Sequence, residues 1–143
     1  AMWSQLKVKV RVNAMPRTTY FPKLEKHDTS MYMLGWGGAI TDAETVLTPV
    51  MRNRGDKGVG FYNYGGSTND KFDKLAAASS NEGDVAKRKE IITQALLEWK
   101  EQVHTIPLHR QIIPWAAKPG VNLVHRADNY VTVEWVSVSG APK

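Results

Sequence analysis

The sequence predicts an α/β layer protein built on one sheet, and three observations carry that expectation. Leu6, Val8, Val10, Val12 and Ala14 alternate with Lys7, Lys9, Arg11 and Asn13, the period of two of a half-buried strand. Ile92, Leu96, Trp99 and Val103 recur at four-three-four spacing, the stripe of an amphipathic helix. Between and beyond them the patterns run strand, helix, strand, three helices, then strands, the order of a layered α/β domain. The 143 residues are about one domain's worth of chain, so positions 1–143 read as a single domain.

Taken in order, Ala1-Met2-Trp3 reads as the last turn of an amphipathic helix that begins upstream, and it lacks the organisation of a signal peptide. Pro16 closes the first strand. Thr18 or Thr19 is expected to cap a short helix reaching about His27, with Pro22 in its first turn. Residues 31–36 form a second apolar strand, closed by Gly35, Gly37 and Gly38. Thr41-Asp42-Ala43-Glu44 has capping-box spacing and opens a helix with Val46, Leu47 and Val50 on one face. A glycine-rich loop over 52–66 carries Phe61-Tyr62-Asn63-Tyr64. Thr68 starts a helix with Phe72, Leu75 and Ala76 inward, and the longest helix spans about 84–103 with Trp99 in the core. Segments 107–117, 121–124 and 130–138 are the closing strands, the last with Val131, Val133 and Trp135 opposite Thr132 and Glu134.

Composition removes several classes. At 42% hydrophobic and 23% charged the chain is ordinary for a globular protein, which argues against disorder. No apolar run approaches the roughly 20 residues that span a bilayer. The absence of cysteine excludes disulfides, thiolate metal clusters and a cysteine nucleophile. It suits the cytoplasm and the periplasm alike. A compact monomer of this size exposes roughly 7,400 Å², enough burial for a real core.

Nineteen Lys and Arg against fourteen Asp and Glu give a net charge of +5, which raises nucleic acid as a partner. The charge is dispersed, however. Lys7, Lys9 and Arg11 alternate on a strand, Arg52, Arg54 and Lys57 share a loop, and Lys87, Arg88 and Lys89 run into Glu90. Such a distribution reads as solvated faces.

Enzyme signatures are missing: no Gly-x-Ser-x-Gly elbow, no P-loop, no His-Glu-x-x-His. His104 and His109 are five apart with Pro107 between them, which is not a metal pair on one helical face. No catalytic group, metal or cofactor is expected. The junction 34–44 is the most informative segment. Gly37 and Gly38 leave room for backbone N–H groups to approach a ligand. Trp36, at the carboxyl end of its strand, is a flat apolar platform with one donor, or else a core residue beside a tight turn. Asp42 is a charged candidate or simply part of the capping box, and Tyr62 and Asn63 sit on an aromatic loop of the kind that contacts ligands.

Several segments together resemble the C-terminal lobe of the dipeptide/oligopeptide-binding receptors of ABC importers. They are Met15-Pro16-Arg17-Thr18-Thr19-Tyr20-Phe21, Leu34-Gly35-Trp36-Gly37-Gly38, Asp42-Ala43-Glu44-Thr45, Asn69-Asp70-Lys71-Phe72-Asp73-Lys74-Leu75, Asp84-Val85-Ala86-Lys87-Arg88 and Ile106-Pro107-Leu108-His109. The resemblance implies the C-terminal lobe of a two-lobed periplasmic-binding-protein-like fold, one mixed sheet with flanking helices. It implies periplasmic capture of a peptide or other small solute in an interlobe cleft, without catalysis. Its partners would be the N-terminal lobe and the permease subunits, with the whole receptor a monomer and nucleic acid not a partner. Trp36, Gly37, Gly38, Ala39, Asp42, Tyr62 and Asn63 would line this half of the pocket. In such receptors an aspartate three residues after the tryptophan pairs with the peptide's α-ammonium. This chain has Ala39 there, with Asp42 the nearest substitute, so a neutral or amino-blocked solute is expected. The alternative is a self-standing basic α/β module that binds nucleic acid through Lys7, Lys9, Arg11, Arg52 and Arg54, with Tyr62 or Tyr64 stacking on bases.

Overall fold

Two helices provide the packing centre of the chain. The computed structural model describes residues 2–38, 40–126 and 128–140. Helix α3 (Asp70–Asn81) starts where the Asn69 side chain accepts a hydrogen bond from Phe72 N. Helix α4 (Val85–Gln102) starts where Asp84 accepts from Lys87 N at 2.9 Å. Both are side-chain N-caps that satisfy backbone donors left over in the first turn. The two helices pack on each other across a three-residue connection, 82–84. Before them lie α1 (Arg17–Glu25) and a single turn, α2 (Glu44–Val46), which widens into a π-helical turn over Leu47–Met51.

The core is small. Leu47, Met51, Phe72, Ala76, Ala95 and Trp99 form its buried cluster, flanked by half-buried Ala43, Val46, Val50, Leu75 and Ile92. The Phe72 and Trp99 rings meet at 4.8 Å, and Trp99 Nε1 donates to Thr105 Oγ1 at 2.8 Å. Trp99 is therefore a core residue, as its place in the helical stripe predicts. The stripe itself is turned. Ile92, Ala95 and Trp99 face inward, whereas Leu96 is 44% exposed and Val103, in the left-handed region, ends the helix in solvent.

The expected sheet does not form, and the α/β lobe with one mixed sheet and flanking helices is corrected on that ground. Helix takes 40% of the described residues and strand 3%. The only ladder among them is two residues long on each side. In it β1 (Val121–Asn122) pairs antiparallel with β2 (Ser137–Val138), Val121 opposite Val138. Among the described residues the expected strands 6–14, 31–36 and 107–117 find no strand partner, and Val8, Val10, Val12, Met31, Met33, Leu108 and Ile112 stay exposed. In place of Thr132–Trp135 strand pairing there is a 3-10 turn, Val133–Trp135. The accessible surface of 11,784 Å² measures the consequence. It is about 1.6 times that of a compact monomer of this mass. Alternation states which face a segment would bury if paired; it does not supply the pair.

Smaller corrections share a cause, the local competition for backbone groups. Neither Thr18 nor Thr19 caps α1, whose N-cap is Pro16, and Pro22 falls in the second turn rather than the first. The Thr41–Glu44 capping box does not form: Asp42 Oδ1 accepts from Glu44 N at 2.8 Å, and Thr45 Oγ1 donates to Asp42 O at 2.7 Å. At the N-terminus a 3-10 helix covers Met2–Leu6. Segment 31–36 is held by side chains. Tyr20 Oη donates to Met33 O at 2.8 Å and accepts from Met33 N at 3.1 Å, doing with one hydroxyl what a neighbouring strand would do.

Candidate functional site

The residues after Trp36 fold into the wall of an open cavity of about 520 Å³. It is lined by Trp36, Gly38, Thr41, Asp42 and Ala43, by the apolar side chains Ile40 and Val46, and by Thr45 and the distant Arg110. The indole is fixed at both ends. Its Nε1 donates to Thr45 O at 2.7 Å, and its rings meet Tyr62 at 4.8 Å, yet 40% of Trp36 remains exposed. A pinned, half-exposed tryptophan is a preorganised apolar platform.

Behind Trp36 the aromatics continue inward. Tyr62 meets Tyr64 at 6.0 Å, and Tyr64 meets Tyr32 at 6.1 Å. Three hydrogen bonds fasten this stack to the backbone. Tyr62 N donates to Pro49 O at 2.8 Å, Gly65 N donates to Tyr32 Oη at 3.1 Å, and His27 Nδ1 lies 2.7 Å from Tyr64 O. The glycine-aromatic loop is thus ordered by its own rings.

Asp42 is the hinge between cavity and core. Arg88, near the start of α4, reaches it with both terminal nitrogens, Nη1 to Oδ2 and Nη2 to Oδ1, each at 2.8 Å. The same guanidinium donates from Nε to Ser79 O at 2.9 Å. This fork-to-fork pair ties the cavity wall to the α3–α4 unit. The Arg88 hydrogen bonds, helped by the Glu44 backbone N–H, pull the Asp42 carboxyl down from 3.8 to about 2. A carboxylate whose folded pKa is depressed stabilises the fold above its unfolded value and loses that contribution as pH falls. Asp128, held at about 2 by Arg126, shares the window. Stability to urea is therefore expected to be level from pH 7 to about 5 and to fall between about 4 and 2, with Asp42→Asn reducing the slope.

The predicted site residues do not all come together. Trp36, Gly38 and Asp42 line the cavity together. Tyr62 stands behind Trp36, and Gly37 faces open space. Asn63 is 3% exposed, its amide donating to Arg52 O at 3.0 Å and Ser67 O at 2.8 Å, so it clamps the loop from inside. Ala39 lies outside the described residues. Sequence reasoning missed Arg110, which no local motif marks.

The two central glycines differ in kind. A Cβ on Gly38 would stand 2.6 Å from Thr45 Oγ1 and 2.9 Å from Ile40 O, whereas one on Gly37 would meet nothing within 4 Å. Gly38→Ala is expected to cost about 1–3 kcal/mol in urea unfolding and to disturb the cavity wall. Gly37→Ala is expected to stay within about 0.5 kcal/mol of the parent.

No protein-family model matches the chain, and no curated protein or solved structure is significantly similar to it.

Proposed function

We propose that the chain is the solute-binding component of an ABC importer, capturing a small peptide-like solute without chemistry. One observation carries the reading: Trp36, Gly38 and Asp42, three of the residues that the resemblance assigns to a receptor's pocket, line one 520 Å³ cavity together. Its volume suits a small molecule, and its lining sets the apolar surface of Trp36, Ile40 and Val46 beside polar side chains that can fix a ligand's orientation. Asp42 is already bonded to Arg88, which favours a neutral or amino-blocked solute over one with a free α-ammonium.

On this reading the receptor works outside the cytoplasm as a monomer and delivers its solute to permease subunits. The exposed apolar side chains of segments 8–15, 31–36 and 106–113 are the surface that the remainder of the receptor covers. Nucleic-acid binding has less support. Arg52 is engaged bidentately by Asp73 at 3.1 and 2.8 Å, and the Arg54 guanidinium sits 5.9 Å from the centre of the Phe61 ring.

Native mass spectrometry of the protein purified from its source cells tests the proposal. A discrete small mass should be carried through gentle ionisation and released on denaturation, and Trp36→Ala should lose it. A protein that carries no solute, or whose solute persists in Trp36→Ala, overturns the reading.

A further inference from the structure

Resting on the reading of this cavity as the ligand site, we propose that it selects solutes carrying a carboxylate, with Arg110 as the partner of the anion. Five polar side chains line the wall: Trp36, Thr41, Asp42, Thr45 and Arg110. Three are engaged within the protein. Trp36 Nε1 donates to Thr45 O at 2.7 Å, and Thr45 Oγ1 donates to Asp42 O at 2.7 Å. Asp42 Oδ2 accepts from Arg88, and its Oδ1 accepts from both Arg88 and Glu44 N, all at 2.8 Å. The Asp42 charge is already balanced by a bidentate pair, among the strongest of hydrogen-bonded contacts, so it offers a cationic solute no uncompensated carboxylate.

Two side chains are left. Among the described residues neither Thr41 nor Arg110 makes a side-chain hydrogen bond or ion pair. A guanidinium has five N–H donors and no acceptor, in a planar fork that matches a carboxylate. With the Asp42 charge balanced by Arg88, Arg110 is the uncompensated charge among the lining residues. Beside it Trp36, Ile40 and Val46 supply an apolar surface. The ligand that fits is an anion with an apolar body, so a carboxylate on an aromatic or aliphatic frame.

Four probes decide the matter: N-acetyl-Phe-Gly as the free acid, its neutral amide, the cationic Phe-Gly amide, and inorganic phosphate. Titrations are followed by the NMR shifts of the Trp36 indole N–H. The acid should bind about tenfold more tightly than its amide, the cation most weakly. Arg110→Gln should remove the acid's advantage over its amide, while Arg110→Lys should keep part of it. Acid and amide binding equally, or a preference that survives Arg110→Gln, overturns the role of Arg110 and leaves the cavity reading intact. Phosphate binding as tightly as the acid makes this a bare anion site and overturns the claim of a carboxylate on an apolar body. If no probe moves Trp36, the cavity reading itself falls, and the charge preference with it.

Discussion

Phe72→Ala is expected to abolish cooperative unfolding of the chain. Phe72 is fully buried, and its ring packs against Trp99 at the centre of a cluster of six buried side chains. Truncating a buried phenylalanine costs about 3–5 kcal/mol, part lost transfer energy and part the cavity left behind. A domain with a full core has 5–15 kcal/mol to lose, but a core this small places the chain near the bottom of that range. The loss is therefore comparable with the whole stability. Thermal and urea melts followed by far-ultraviolet circular dichroism should become broad and shallow. Leu96→Ala is the matched control. On the stripe inferred from spacing it removes a core residue; on the observed face it removes a 44% exposed one and should cost less than about 1 kcal/mol. A variant Phe72→Ala that melts as sharply as its parent, or a Leu96→Ala as damaged as Phe72→Ala, would show the core to lie elsewhere.

That contrast also shows what can be read from the chain and what cannot. The starts of helices α3 and α4 were legible to within two residues because their signals are local: the cap of α3 is Asn69, one residue after the Thr68 expected to start it, and the cap of α4 is Asp84, where that helix is expected to begin. The inward face of α4 was legible only in part. Ala95 and Leu96 are adjacent, either completes a stripe with Ile92 and Trp99, and hydrophobicity favours the larger one. Packing against Phe72 chose the smaller, since alanine lets the helices approach closely. The strands failed for a different reason. Segment 6–14 has an ideal alternation, but a strand is a relation between two segments, and among the described residues no partner meets this one. Tyr20 takes the place of a partner for Met33, a contact across thirteen residues that no pattern announces. Within the cavity, Trp36, Gly38 and Asp42 were legible because they crowd one junction. Arg110 arrives from a segment sixty-four residues beyond the last of the other lining residues, Val46, and only the folded chain brings it there.

Asn63→Asp is the second large effect, and it separates a clamp from a ligand contact. The Asn63 amide sits inside the glycine-aromatic loop, its nitrogen donating to Arg52 O and Ser67 O while its oxygen accepts from Ser67 Oγ at 3.2 Å. The substitution keeps the shape and exchanges the donor for an acceptor. Two carbonyl oxygens then face a third oxygen that carries charge and is almost fully buried. Leaving each buried carbonyl unsatisfied costs about 1–3 kcal/mol, and an unpaired buried charge adds to it, so a loss of about 3–5 kcal/mol is expected. Asn63→Ala, which removes the donor without adding charge, should lose less.

The pH dependence provides a check that simple loss of packing would not show. Burial among carbonyls raises the pKa of the introduced carboxyl, so its penalty is largest above the folded pKa and lessens as it protonates and regains a donor. Stability of the variant should recover partly between pH 7 and 5, before the parent's own carboxylates begin to protonate. Because this loop carries Tyr62 against Trp36, solute retention should fall with stability and recover with it. A variant as stable as its parent that has nonetheless lost the solute would instead make Asn63 a residue that touches the ligand.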